Sequence, residues 1–207
     1  MSTSLLESYE TKKWPSLSNL HGISDKTLEV HFGLYAGYVK NTNLLNEQLA
    51  ELTKEGKATA SNPSYAEIKR RLGFEYDGMV LHEYYFDNMM ANGNGQAPTG
   101  SLRDAFARSY GDFDTWKKDF TTTGALRGVG WAIAYQDPNT GRIVNEWVTL
   151  HEDGNLAGFR PIVVMDVWEH AWLLDYVPAD RPKYIEAFFA NIDWKACEKR
   201  LIAGSAT

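Results

Sequence analysis

Asp166 and His170 stand four residues apart in Asp166-Val167-Trp168-Glu169-His170-Ala171-Trp172, just after the apolar run Pro161-Ile162-Val163-Val164-Met165. A carboxylate and an imidazole anchored among aromatic groups at the end of a buried strand can hold a metal, since such N and O donors suit iron or manganese as well as zinc. The same pair could equally make an ordinary hydrogen bond, so the spacing alone leaves both readings open. Two further histidines sit where helical periodicity turns them inward. His31 shares a helix face with Tyr35 at i+4 and Tyr38 at i+7. His82 falls in line with Ile68, Leu72, Glu75, Met79, Phe86 and Met89, where a core histidine bonded to a carbonyl is the alternative to a ligand.

These residues need elements to position them. From Thr3 to Ser24 the chain mixes Pro15, Ser16, Ser18 and Gly22 with scattered apolar residues, the composition of an extended arm. Ser24 is a candidate N-cap for a helix running to about Glu55, and Ser64 for a second reaching about Met90. Gly73 and Gly78 within the second helix mean either close packing or an interruption. The stretch Asn92 to Gly100 reads as loop and as the boundary between two halves. Short helices are expected over 101–110 and 113–126, and strands over 130–135 and 142–150, joined by the turn Asp137-Pro138-Asn139-Thr140-Gly141. A third strand, 161–165, leads into the Asp166 motif, and helices over about 181–191 and 194–201 close the chain.

Composition narrows the function. Of 207 residues, 43% are hydrophobic and 23% charged, enough apolar surface for a sizeable core. A net charge of −6, with Lys69-Arg70-Arg71 as the one concentrated basic piece, argues against nucleic acid as a partner. The single cysteine, Cys197, excludes an intrachain disulfide framework and fits a reducing compartment. The polar start, with Glu7 and Glu10, resembles neither a secretory leader nor a transit peptide, and no apolar run approaches the ~20 residues of a membrane span. A cytoplasmic protein with no membrane partner is expected.

The chain resembles the iron/manganese superoxide dismutases over nearly its full length. Asp166-Val167-Trp168-Glu169-His170-Ala171 matches that family's D-x-W-E-H-A signature. Gly128-Val129-Gly130-Trp131, Pro98-Thr99-Gly100, Arg181-Pro182 followed by Tyr184, and Asn191-Ile192-Asp193-Trp194 match further family stretches in order. The resemblance implies an α+β fold: a long α-hairpin N-terminal domain over 1–95, arm included, and an α/β C-terminal domain with a three-stranded antiparallel sheet over 96–207. One iron or manganese ion per chain would lie between them, held by His31, His82, Asp166 and His170, with solvent in a fifth position. It further implies an oxidoreductase of antioxidant function that disproportionates superoxide to O2 and hydrogen peroxide.

In the family a side-chain amide reaches the bound solvent from one of two places. Four residues before the second histidine, where many iron enzymes carry Gln, this chain has Gly78; in the loop before the third strand it has His151, with Glu152 as the rival if the loop is registered differently. The aromatic cage falls on Tyr85, Phe86, Trp131 and Trp168, all equally suited to core packing. The gateway tyrosine falls on Tyr38, with Tyr35 second, because the first helix is one residue shorter than is usual in the family; i+7 suits a regular helix.

Glu169 matches the residue that reaches the neighbouring subunit's ligand histidine, which implies a homodimer or a tetramer built from it. The usual pairing of a gateway histidine with a tyrosine across the interface is absent, since Leu34 or Tyr35 and Leu173 stand there. Arg181 would brace the interface and a tyrosine, or contribute to local steering of superoxide. Two other readings compete: a dismutase-fold structural or interaction protein without activity, and a zinc hydrolase. The intact ligand set weighs against the first; the second lacks a general base. No role follows for His21 or for the Gly154–Arg160 loop.

Overall fold

A computed structural model of the chain describes residues 7–93 and 95–202. Two long helices, α1 (Asp25–Lys54) and α2 (Pro63–Asp87), form an antiparallel hairpin. The Ser24 side chain caps α1 by accepting from Thr27 N. The cap of α2 is Asn62, which accepts from Ser64 N at 3.1 Å, and not Ser64 itself. The reason is Pro63: its fixed φ and missing N–H place it in the first helical turn, so the residue before it must cap. α2 runs uninterrupted through Gly73 and Gly78 and ends at Asp87, short of Met90.

The second half carries α3 (Gly100–Tyr110), α4 (Phe113–Gly124), α5 (Arg181–Ala190) and α6 (Trp194–Glu198) around a sheet of β1 (Gly130–Gln136), β2 (Ile143–Thr149) and β3 (Arg160–Asp166). Strand order is β2-β1-β3, both pairings antiparallel. The central strand β1 is buried along its whole length, and its register sets Trp131 opposite Asp166. The fold class expected from the sequence is the one observed.

Buried polar ties join the halves. Asn88, just past α2, donates to Val164 O on β3 and accepts from Arg200 at 2.5 Å; Arg200 also reaches Ile162 O and Tyr84 O. The arm crosses both long helices: Tyr9 N donates to Asn43 Oδ1, Lys12 N to the Tyr35 hydroxyl and Trp14 Nε1 to Asp87 Oδ1. Residues 3–6 of the expected arm lie outside the described residues. His21 acts through its backbone, whose N–H and carbonyl are both bonded by the Asn191 side-chain amide.

Candidate metal centre

Four side chains from four elements meet where the hairpin packs on the sheet. His31 comes from α1, His82 from α2, Asp166 from the end of β3 and His170 from the 3-10 turn that follows it. Their imidazole Nε2 atoms lie 3.0, 3.6 and 3.1 Å from Asp166 Oδ2, in that order, and the four donor atoms are all within 4.8 Å of one another. His31, His82 and Asp166 are fully buried, while the His170 side chain keeps 19% of its surface exposed.

Two of the donors, His82 and Asp166, are held in orientation by hydrogen bonds from behind. His82 Nδ1 donates to Gly78 O at 2.5 Å, one turn back on the same helix, which leaves Nε2 as the bare lone-pair face. That Nε2 is buried and has no hydrogen-bond partner among the described residues. An unpartnered buried acceptor is costly unless something else fills its lone pair. Trp168 N donates to Asp166 Oδ1 at 2.7 Å and the Tyr184 hydroxyl to Asp166 O at 2.6 Å, so the carboxylate presents Oδ2 to the histidines. Burial opposes the charge on Asp166, yet His170 and His31 hold its carboxyl well below the usual carboxylate range. Burial pushes His31 below its ordinary value, and His82 well below. Three imidazoles and one carboxylate converging on one point fit a borderline cation such as iron or manganese.

Beside this cluster His151 is fully buried. Its Nδ1 accepts from the Trp131 indole N–H at 3.1 Å, and its Nε2 lies 2.7 Å from the Tyr38 hydroxyl. An indole N–H can only donate, so Nδ1 is unprotonated and the single N–H of the neutral ring is on Nε2, donating to Tyr38. Burial lowers the imidazole to about 4, which keeps it neutral at ordinary pH. Glu152, the rival, is exposed. Tyr35 turns the other way, accepting from Lys12 N and donating to Glu83 Oε1.

Gly78 explains how Tyr38 fits. A Cβ at Gly78 would lie 2.7 Å from the Tyr38 ring, closer than real carbons approach, so the ring occupies the space a side chain there would need. Phe86 and Tyr85 pack on His31 at 5.0 and 5.1 Å between ring centres, Trp131 on His82 at 5.0 Å, and Trp168 on both His151 and His170 at 4.9 and 5.8 Å. Glu169 is exposed. Arg181 donates to Gly128 O and lies over the Trp147 ring at 5.8 Å.

Two neighbours escaped sequence reasoning. Phe74 packs on His151 at 4.5 Å, and Asn155 bonds the His151 backbone. Tyr184, which the sequence offered only as part of a matching stretch, holds the Asp166 backbone carbonyl. Of the two, only Phe74 carried a usable signal, its place within α2.

Comparison with known proteins matches residues 19–90 to the α-hairpin domain of the iron/manganese superoxide dismutases and residues 98–200 to their C-terminal domain. A relative from Aquifex aeolicus named superoxide dismutase [Fe] is 37% identical over 185 residues, covering 88% of this chain and 85% of its own. One from Cupriavidus metallidurans with the same name is 34% identical, covering 90% and 92%, and one from Haloferax volcanii named superoxide dismutase [Mn] 2 is 34% identical, covering 83% of each chain. With both halves matched over most of their length, the chain belongs to the iron/manganese superoxide dismutase family.

Proposed function

We propose that His31, His82, Asp166 and His170 hold one iron or manganese ion per chain and that the protein dismutates superoxide, as an antioxidant enzyme. The observation that carries this is the buried convergence of three Nε2 atoms and Asp166 Oδ2, with His82 Nε2 lacking a hydrogen-bond partner among the described residues. Iron or manganese bound there supplies the one-electron exchange by which one superoxide is oxidised to O2 and a second, with two protons, is reduced to hydrogen peroxide.

The chain's own residues supply orientation, enclosure and proton control. Asp166 contributes the negative charge of the set, and its low carboxyl value keeps it ionised. Tyr38 and His151 are the groups we assign to catalysis. The His151 N–H donates to the Tyr38 oxygen, so the Tyr38 hydroxyl hydrogen points away from His151 and is free to be offered to a peroxide oxygen. Burial, and after it Asp166 and Glu75, push the Tyr38 hydroxyl up to about 12, which keeps it a donor near neutrality. Tyr85, Phe86, Trp131 and Trp168 limit water around the ligands. The net charge of −6 repels superoxide at long range, so attraction must be local.

We assign residues 1–95 and 96–207 to the two domains, a division supported by the family matches ending at 90 and starting at 98. A homodimer is supported by exposed Leu34, Leu173, Leu174 and Val177 near exposed Glu169, which would reach the partner's ligand histidine. With Leu34 and Leu173 at its entrance, this interface is drier than the usual paired histidine and tyrosine; Arg181 braces the Gly128 loop behind it. No described helix is long and apolar enough to cross a membrane, and buried Cys197 supports a reducing, cytoplasmic setting. His170→Ala tests the function: loss of dismutation together with most bound metal is expected, and retained activity refutes the site.

A further inference from the structure

Asn155 lies in the loop between β2 and β3, and its amide joins three parts of the molecule. Nδ2 donates to His151 O at 2.8 Å and reaches Asp77 Oδ2 on α2 at 3.4 Å, while Oδ1 accepts from the Tyr135 hydroxyl on β1 at 2.8 Å. Every partner has the polarity its amide atom needs. Tyr135 is itself buried, so the amide is held from a rigid strand.

The loop is one that needs such a tie. Leu150 sits in the left-handed region at φ +55°, Gly154 at φ +107° with no room for a Cβ beside Trp147 O, and Thr149 and Asp153 exchange two backbone hydrogen bonds. Between them, His151 turns inward and is fully buried while Glu152, Asp153 and Gly154 are exposed. Tyr38 and Trp131 meet the imidazole from the inside; on the outer side the hydrogen bond from Asn155 holds the His151 carbonyl.

We propose that Asn155 is a positioning residue that fixes the His151 backbone and through it the imidazole's hydrogen bonds to Trp131 and Tyr38. Its consequence for catalysis rests on the dismutase reading, whereas the positioning belongs to the chain whatever it catalyses. Removing the Nδ2 donor frees the His151 carbonyl, and the ring then loses its alignment with the Trp131 indole. Asn155→Ala does this, and so does the nearly isosteric Asn155→Asp, which keeps an oxygen toward Tyr135.

The test is hydrogen exchange of the tryptophan indole N–H groups, followed by NMR on the metal-free full-length chain. Trp116, whose indole donates to Asn145 Oδ1 far from the loop, is the internal reference. Both variants are expected to speed exchange at Trp131 by about five- to tenfold, the range of one net hydrogen bond, and to leave Trp116 unchanged. In a His151→Ala background, where the acceptor is gone, the same substitutions should add nothing. An unchanged Trp131, or equal acceleration at Trp131 and Trp116, overturns the proposal; the second result marks general destabilisation. With iron or manganese loaded, activity per bound ion should fall in the Asn155 variants only when His151 is present. A wild-type chain that binds metal but shows no dismutation would remove the dismutase reading and leave the indole result standing.

Discussion

The Tyr38 hydroxyl and His151 Nε2 lie 2.7 Å apart, joining the first helix of the hairpin to the loop before β3 beside His82. His151→Ala removes an acceptor for Trp131 and a donor for Tyr38 together, without touching a ligand. Activity per bound ion is expected to change by about 10- to 100-fold, the range found for partners that orient a metal site, with a shift in the preference between iron and manganese. Circular dichroism should show the fold intact. Activity unchanged from the wild-type chain with both metals would mean that the loop histidine has no part in tuning.

Gly78 is expected to tolerate no side chain. In Gly78→Ala the new carbon meets the Tyr38 ring at 2.7 Å, so the ring or the hairpin must shift. Overpacking of this kind costs about 1–3 kcal/mol, readable as a lower denaturant midpoint. Gly78→Gln should do worse and also displace Tyr38 from His151. An unchanged midpoint would show that the ring moves freely.

Asp77 provides a pH-dependent test. Burial, with Glu152 nearby, pushes its carboxyl up to about 6. The folded chain therefore binds this proton more tightly than the unfolded chain, in which the carboxyl sits near about 3.9. Its stabilising effect is present at low pH and is lost as pH rises from about 4 through 6. Asp77→Asn should raise the melting temperature at pH 8 and not at pH 4, by a small amount because the group is half-exposed. A gain of equal size at both pH values would contradict the ionisation argument.

The subunit interface can be tested at Leu173, exposed by 41% next to Glu169. Sedimentation of the wild-type chain should give a dimer, and Leu173→Asp should shift it toward monomer by placing an unpaired charge in an apolar contact. A fully active wild-type monomer would eliminate the dimer and the Glu169 bridge with it.

How far the sequence speaks differs from residue to residue. His31 and His82 were legible because a helix of regular period turns every third or fourth residue to the same side, and the continuous α1 keeps Tyr38 on the side of His31. Asp166 and His170 were legible from a strand ending in a compact motif. The α2 cap was misplaced by two residues, although Pro63 carried the needed signal. What Gly78 is for could not be read, because the answer is the ring of Tyr38 from another helix. Asn155 was equally silent: its partners come from α2, β1 and its own loop, and a polar residue in a loop has no periodicity to betray it.

The central claim is that His31, His82, Asp166 and His170 form one redox metal site. The most direct measurement strips the chain of metal, reconstitutes it separately with iron and with manganese, and determines bound metal and dismutation on the same samples. One ion per chain and superoxide dismutation with at least one of the two metals are expected, both lost in His170→Ala. Dismutation that persists in the metal-free chain or in His170→Ala, or a chain fully loaded with either metal that leaves superoxide untouched, would contradict it.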